Sequence, residues 1–337
     1  MPASTLRADG DLPVYFGYDT ALQLLRRAGV HTLAPAKGNA RTLPDRAPGI
    51  GKVEATLERL ESTYPGLRIE RPAHILIGSS SRCRTSSAFK LHVCTPNLWG
   101  TSFYQVGDGV FVSAPALAFV HRATQERSMI PLLELGYELC GTYQSWRTGV
   151  PTQYQVDSLV SARALGDYVS HNPSINGARK AARAIRYLAG GSASPRETKQ
   201  ALLLGLPTTY GGYGLGLPRM NYKVVANGAA RAISGKSSFR CDLCWLEQKL
   251  DVEYQSRECH EGETNRVADS RRANALMAMG WTVVSVTGDE LDSFAATETI
   301  AQTIRHHLGK RSHVHTSDYH AKKLRLRRQL GLPVGYV

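Results

Sequence analysis

Residues 241–263, CDLCWLEQKLDVEYQSRECHEGE, hold the densest set of side chains able to do chemistry. The pattern predicts strands over 238–245 and 250–256, joined as a hairpin around Leu246–Lys249. Symmetric pairing sets Trp245 opposite Leu250. Counting outward sets Asp242 opposite Glu253, two carboxylates on one face with Cβ atoms about 5 Å apart. Like charges so placed repel, and a hard divalent cation between them relieves the repulsion. Gln255 returns to the same face two residues on, and His260 follows close enough to act as acid or base near neutral pH. The chemistry this predicts is hydrolysis of a phosphodiester with Mg²⁺ (Mn²⁺ as a substitute) held by Asp242 and Glu253. The plain alternative is a polar sheet face with solvated acids, and Asp251 reads as one of those.

Cys241-x-x-Cys244 with Cys259-His260 offers four ligands of the kind zinc takes. On a regular strand Cys241 and Cys244 point to opposite faces, and no glycine-rich knuckle surrounds them. Zinc is therefore not expected, and the cysteines read as small buried apolar residues.

The elements that must position these groups surround them. Ser194-Pro195-Arg196-Glu197 reads as an N-cap, a proline at N1 and a glutamate at N3, opening a helix through Ala201–Leu204. A strand over about 221–226 precedes the hairpin. A helix over about 265–279 ends at Gly280, a buried strand spans Trp281–Thr287, and a helix runs from Asp289 to about 308. The order strand, strand, strand, helix, strand, helix points to a mixed sheet with helices packed on it. Upstream, 19–28 reads as a capped helix closed by Gly29, with strands at 73–79, 89–95 and 109–113 and helices near 115–124 and 128–140. Those elements describe a compact α+β module. Residues 142–191 read as a linker with a basic helix. The glycine-rich run 211–218 lacks the strand–turn–helix setting of a dinucleotide loop.

Charge supplies the partner. The 337 residues carry a formal +13, which favours a polyanion, nucleic acid before membrane. Arg179, Arg183 and Arg186 share one face of the basic helix. Between Arg305 and Val337 eight Lys/Arg stand against one acid. Lys322, Lys323, Arg325, Arg327 and Arg328 there form a basic helix or a flexible arm able to grip DNA phosphates. No run approaches the roughly 18 apolar residues of a membrane helix, and the N-terminus lacks the apolar core of a secretory leader. Six cysteines in a chain this long do not make a disulfide framework, so a reduced, cytoplasmic setting is expected.

Asp242 with Glu253-x-Gln255 on adjacent strands resembles the PD-(D/E)XK nuclease superfamily. His260, then Asp269-Ser-Arg271-Arg272, then Leu276 and Gly280-Trp-Thr-Val-Val, resembles its branch near the very-short-patch repair endonucleases, over about 192–308. The resemblance implies that Glu197 adds an acid from the preceding helix, that His260 sits near the attacking water, and that Asp269 and Arg272 support the site. Local roles compete: Glu197 also completes a capping box, and Asp269 with Arg272 also makes a surface i,i+3 pair. Gln255 departs from the lysine common at its position in that superfamily; its carbonyl can bind metal or orient water but carries no charge. More loosely, 12–141 resembles the antitoxin-like domains of the abortive-infection AbiEi family. The cues are the early Thr-Ala-Leu helix, the strand ending at His92 and Gly109-Val-Phe-Val-Ser-Ala-Pro.

The expectation is therefore an α+β N-terminal module (1–141) that targets DNA or a protein partner, or forms a homodimer. The linker and basic helix (142–191) follow, then an α/β restriction-endonuclease-like domain with a mixed central sheet flanked by helices (192–308) and a basic tail (309–337). The function expected is a Mg²⁺-dependent DNA endonuclease, with a role in defence against phage or mobile DNA. Its rival is a non-catalytic DNA-binding regulator on an inactive nuclease fold.

Overall fold

The computed structural model describes residues 12–79, 86–255, 263–311 and 317–335. The chain divides into two units, Met1–Leu139 with Tyr143–Arg186, and Cys140–Thr142 with Tyr187–Val337. The stretch read as a linker is thus mostly part of the first unit, and the basic tail is part of the second. Both units combine helices with mixed sheets, the α+β character expected. Among the described residues no helix is long and apolar enough to cross a membrane.

In the first unit β1 (Val14–Phe16) leads into α1 (Tyr18–Ala28). The helix starts at Tyr18, one residue before Asp19, with Gly17 as its N-cap and no side-chain cap. Asp19 pairs with Arg122 instead. Gly29, at φ 77°, closes the helix as expected, donating its N–H to Leu25 O. There follow β2 (Ala34–Pro35), α2 (Ile50–Thr63), β3 (Ala73–Ile77), β4 (Phe89–Val93), β5 (Phe103–Gly107) and β6 (Val110–Ser113). The strands order as β2-β5-β6-β1-β3-β4, with β1–β6 and β3–β4 parallel. Then come α3 (Pro115–Gln125), α4 (Met129–Leu139), the short hairpin β7 (Tyr143–Gln144) and β8 (Gln153–Tyr154), α5 (Ala162–His171) and α6 (Ala178–Ile185). Leu22, Leu24 and Leu25 of α1, Leu117 and Phe119 of α3, and Leu132 and Leu135 of α4 are all fully buried. Proline at N1 starts α3 as the sequence suggested.

The second unit begins with α7 (Pro195–Gly205), then β9 (Arg219–Val225), α8 (Gly228–Ser234), β10 (Ser238–Trp245), β11 (Leu250–Gln255), α9 (Glu263–Ala278) and β12 (Thr282–Thr287). Its sheet is ordered β12-β11-β10-β9, antiparallel except for the parallel pair β11–β12 that the α9 crossover permits. The single helix expected after Asp289 is two: α10 (Gly288–Asp292), opened by a Thr287/Glu290 capping box, and α11 (Phe294–His307), restarted by the Ser293 cap. Last comes α12 (Tyr319–Gln329), a helix rather than a free arm. Phe239, Cys241, Cys244, Ala275 and Leu276 form the apolar cluster between the hairpin and α9.

Candidate carboxylate and metal site

The hairpin register is the expected one where the ladder is intact: Trp245 pairs with Leu250 and Leu243 with Val252. At Asp242 the ladder stops. On the β9 side Cys241 pairs with Tyr222 and Leu243 with Met220, while Asp242 is skipped. Its carboxylate takes over a backbone role, accepting the Tyr254 N–H at 2.9 Å. Asn221, across from it on β9, has φ 49°, a left-handed conformation that Asn tolerates better than most residues.

Three elements bring carboxylates to this gap. Glu197, buried on the first turn of α7, makes half of the expected capping box: Ser194 Oγ accepts the Glu197 N–H at 3.1 Å and donates to Glu197 Oε1 at 2.9 Å, while the backbone donor to the Glu197 side chain is Ala193 rather than the N-cap residue. Its other oxygen accepts from Ala193 N at 3.0 Å and from Asn221 Nδ2 at 2.6 Å. The Asp242 carboxyl is pushed up to about 7, first by burial and then by the negative fields of Glu253 and Glu197. Glu253 is pushed up to about 8, by burial and by a hydrogen bond shared with Asp251. Asp251 is fully buried rather than solvated, and burial raises it to about 8 as well. Three acids, Asp242, Asp251 and Glu253, whose ionisation burial and neighbouring carboxylates oppose, form with Glu197 a centre whose charged state a cation would favour.

One cation already reaches it. Arg272 of α9 pairs with Glu253, donates to Arg240 O at 2.5 Å, and lies 3.9 Å from Asp251 and 5.9 Å from the centre of the Phe239 ring. Arg272 thus supplies at Glu253 the positive charge that Gln255 does not. Asp269, one turn earlier, is exposed to solvent. Gln255 donates its amide to Ser285 Oγ at 3.3 Å, on the face it shares with Glu253. His260 and Cys259 lie outside the described residues.

The cysteines overturn the alternation argument. Cys241 and Cys244 do not diverge: their sulfurs and an Asp251 oxygen all lie within 4.8 Å of one another, in the interior. Both enter the apolar cluster beneath α9. Cys244 Sγ lies 3.8 Å from Asp251 Oδ1, which gives one buried carboxyl oxygen a donor.

The basic residues divide. Arg179, Arg183 and Arg186 are exposed, as the spacing on α6 requires, and so are Arg325 and Arg328 on α12. Lys322 is half-buried and pairs with Asp318 at 3.0 Å. Lys323 and Arg327 do not form part of a DNA-facing surface. Lys323 is buried on Glu298 at 2.5 Å and over the Tyr319 ring at 4.8 Å. Arg327, 1% exposed, donates to Leu291 O, Asp292 O and Pro333 O at 3.0, 2.5 and 2.7 Å. These carbonyls near α10 and beyond the end of α12 need donors, and the guanidinium fork satisfies three at once.

Sequence reasoning missed Asn221, whose signal was only an Asn inside a strand of Met, Tyr and Val. It also missed the fully buried Asp251, which had been read as a solvated acid.

No family model matches the chain. It is 29% identical over 111 residues to uncharacterized proteins of Mycobacterium tuberculosis strains CDC 1551 / Oshkosh and ATCC 25618 / H37Rv, a match covering 33% of this chain and 36% of each relative. The chain therefore spans about a third of the length of the relatives it matches. No solved structure matches.

Proposed function

We propose that the chain is a cytoplasmic, metal-dependent DNA endonuclease of the PD-(D/E)XK type. The observation that carries the reading is the convergence of Glu197, Asp242 and Glu253, from a helix and two strands, at one interruption in the ladder, where the charges of Glu253 and Glu197 raise the pKa of the buried Asp242. The order of contributors, α7, β10, β11 and then α9, is the one the sequence resemblance implies. Oxygen donors of this kind fit Mg²⁺ or Mn²⁺, with Asp242 and Glu253 as ligands. Such an ion would lower the pKa of a bound water and stabilise the leaving oxygen. Gln255 orients water or metal through its carbonyl, Glu197 joins through water, and His260 moves the proton. Arg272 holds Glu253 and balances its charge. Arg179, Arg183 and Arg186 on one unit, and Arg325 and Arg328 on the other, grip phosphates. The N-terminal unit directs the enzyme to DNA, to a protein partner or into a homodimer, with phage or mobile DNA as the target of defence.

Gln255 and the Arg272–Glu253 pair favour one rival, a DNA-binding regulator on an inactive nuclease fold. Cleavage of supercoiled and linear DNA with Mg²⁺ or Mn²⁺, wild type beside Glu253→Ala, separates them. Metal-dependent cutting that the substitution abolishes supports the nuclease. Binding by both proteins with no cutting by either supports the regulator.

A further inference from the structure

Glu197 could serve the helix alone. A glutamate at N3 that accepts from its own N-cap region needs no other partner, and the Ser194 and Ala193 bonds supply that. Asn221 is the exception. It comes from β9, 24 residues away in sequence, and its amide makes the shortest bond that Glu197 receives, at 2.6 Å. It does so from φ 49° at the one position where β9 and β10 skip a pair, directly across from Asp242. A backbone held in the left-handed region costs of order 1 kcal/mol or more for a residue with a Cβ, and it persists where the surroundings require it.

We propose that Asn221 is a positioning residue of the carboxylate site: its amide fixes Glu197 against Asp242 so that one glutamate both caps α7 and completes the metal-binding centre. This rests on the proposed reading of that centre. The choice of side chain follows from charge. An amide donates a hydrogen bond to the carboxylate without neutralising it, so Glu197 stays available to a cation, whereas Arg272 partly satisfies Glu253 with its own charge. Asn also tolerates the left-handed backbone, which a β-branched residue at this position would not.

The test uses the full chain and Mn²⁺ titrated by calorimetry at pH 8, with cleavage followed in parallel. Asn221→Gly keeps the backbone conformation and removes only the amide. It should weaken Mn²⁺ binding about tenfold, the usual effect of losing an outer partner of a metal ligand, and leave the melting temperature within a few degrees. Glu197→Gln should weaken binding similarly, and adding Asn221→Gly to it should cost little more, since the amide acts through that carboxylate. Wild-type affinity in Asn221→Gly, or full additivity in the double variant, overturns the proposal. Mn²⁺ binding by a wild type that cuts no DNA would remove the nuclease reading and leave this comparison intact. A wild type that binds no Mn²⁺ overturns both.

Discussion

Each unit buries a cluster of titratable side chains, and the two clusters oppose each other in sign. In the first, Tyr18 stacks on His92 at 3.8 Å and on His121 at 4.8 Å between ring centres, and His92 Nε2 lies 3.0 Å from His74 Nδ1. Burial pushes His92 down to about 3 and His121 down to about 4, so the rings are neutral and pack as flat apolar surfaces. In the second unit burial pushes Asp242, Asp251 and Glu253 up to about 7, 8 and 8. The rings close on one another, and His121 Nδ1 is buried with no hydrogen bond. The acids gather a guanidinium, an amide and a backbone N–H. The difference teaches how to tell the two uses of burial apart. A packing cluster is neutral at physiological pH and needs nothing further, while a cluster of buried acids with raised pKa values relieves its charge by taking up protons at acid pH or, at higher pH, by a cation.

The largest effect should fall on the second cluster alone. Glu253→Ala should reduce metal-dependent cleavage on the order of 10³-fold, the scale of losing a metal's Lewis-acid contribution, while His92→Gln leaves the rate unchanged. Plasmid-nicking rates read this directly, and equal losses in both variants would break the comparison.

The pH limbs come next. Groups with depressed pKa values bind protons in the unfolded chain first, so the first unit should lose stability as pH falls from 6.5 toward about 4. For His121 the loss is ~3 kcal/mol at the acid end, and His121→Phe, which keeps a flat ring and cannot titrate, should flatten that limb. The carboxyls run the other way. Their raised values stabilise the folded state at acid pH, and that contribution is lost as pH rises from about 4 through 7 to 8. Hydrogen exchange read separately for each unit across pH would show both limbs; a second unit steadily more stable toward pH 8 without metal would contradict the assignment.

Arg327→Ala should destabilise the second unit by about 3 kcal/mol, because three buried carbonyls lose their donor. A stability change under 1 kcal/mol, with DNA affinity lost instead, would return Arg327 to the DNA surface. Mn²⁺ should raise the melting temperature of the second unit by a few degrees, more at pH 8 than at pH 5, and leave the first unit unmoved. Smallest of all, Arg325→Ala and Arg328→Ala should each lower the salt slope of DNA binding by about 1 without changing stability.

Much of the second unit was legible because its signals are local. The hairpin register follows from a turn flanked by alternating residues and the α7 cap from Ser-Pro-x-Glu; in the first unit the exposed arginine face of α6 follows in the same way from helical spacing. The site's acids were legible as residue types at a spacing. Their coupling was not, because it depends on a break in the ladder that no count along a strand reveals. The cysteines were misplaced because strict alternation did not foresee that Cys241 and Cys244 both enter the cluster beneath α9. The imidazole cluster draws on residues 18, 74, 92 and 121, from four separate elements, so no window of sequence contains it.

The sequence by itself determined the Gly29 stop of α1, the proline starts of α3 and α7 and which strands pair in the hairpin, since propensity, capping and periodicity act within a few residues. Tertiary structure decided which charges meet. Arg272, Lys323 and Arg327 look alike along the chain, yet one reaches the carboxylates while the other two are sealed inside. The cost of burying a cation is met only by partners from distant segments, and only the folded chain brings those partners within reach.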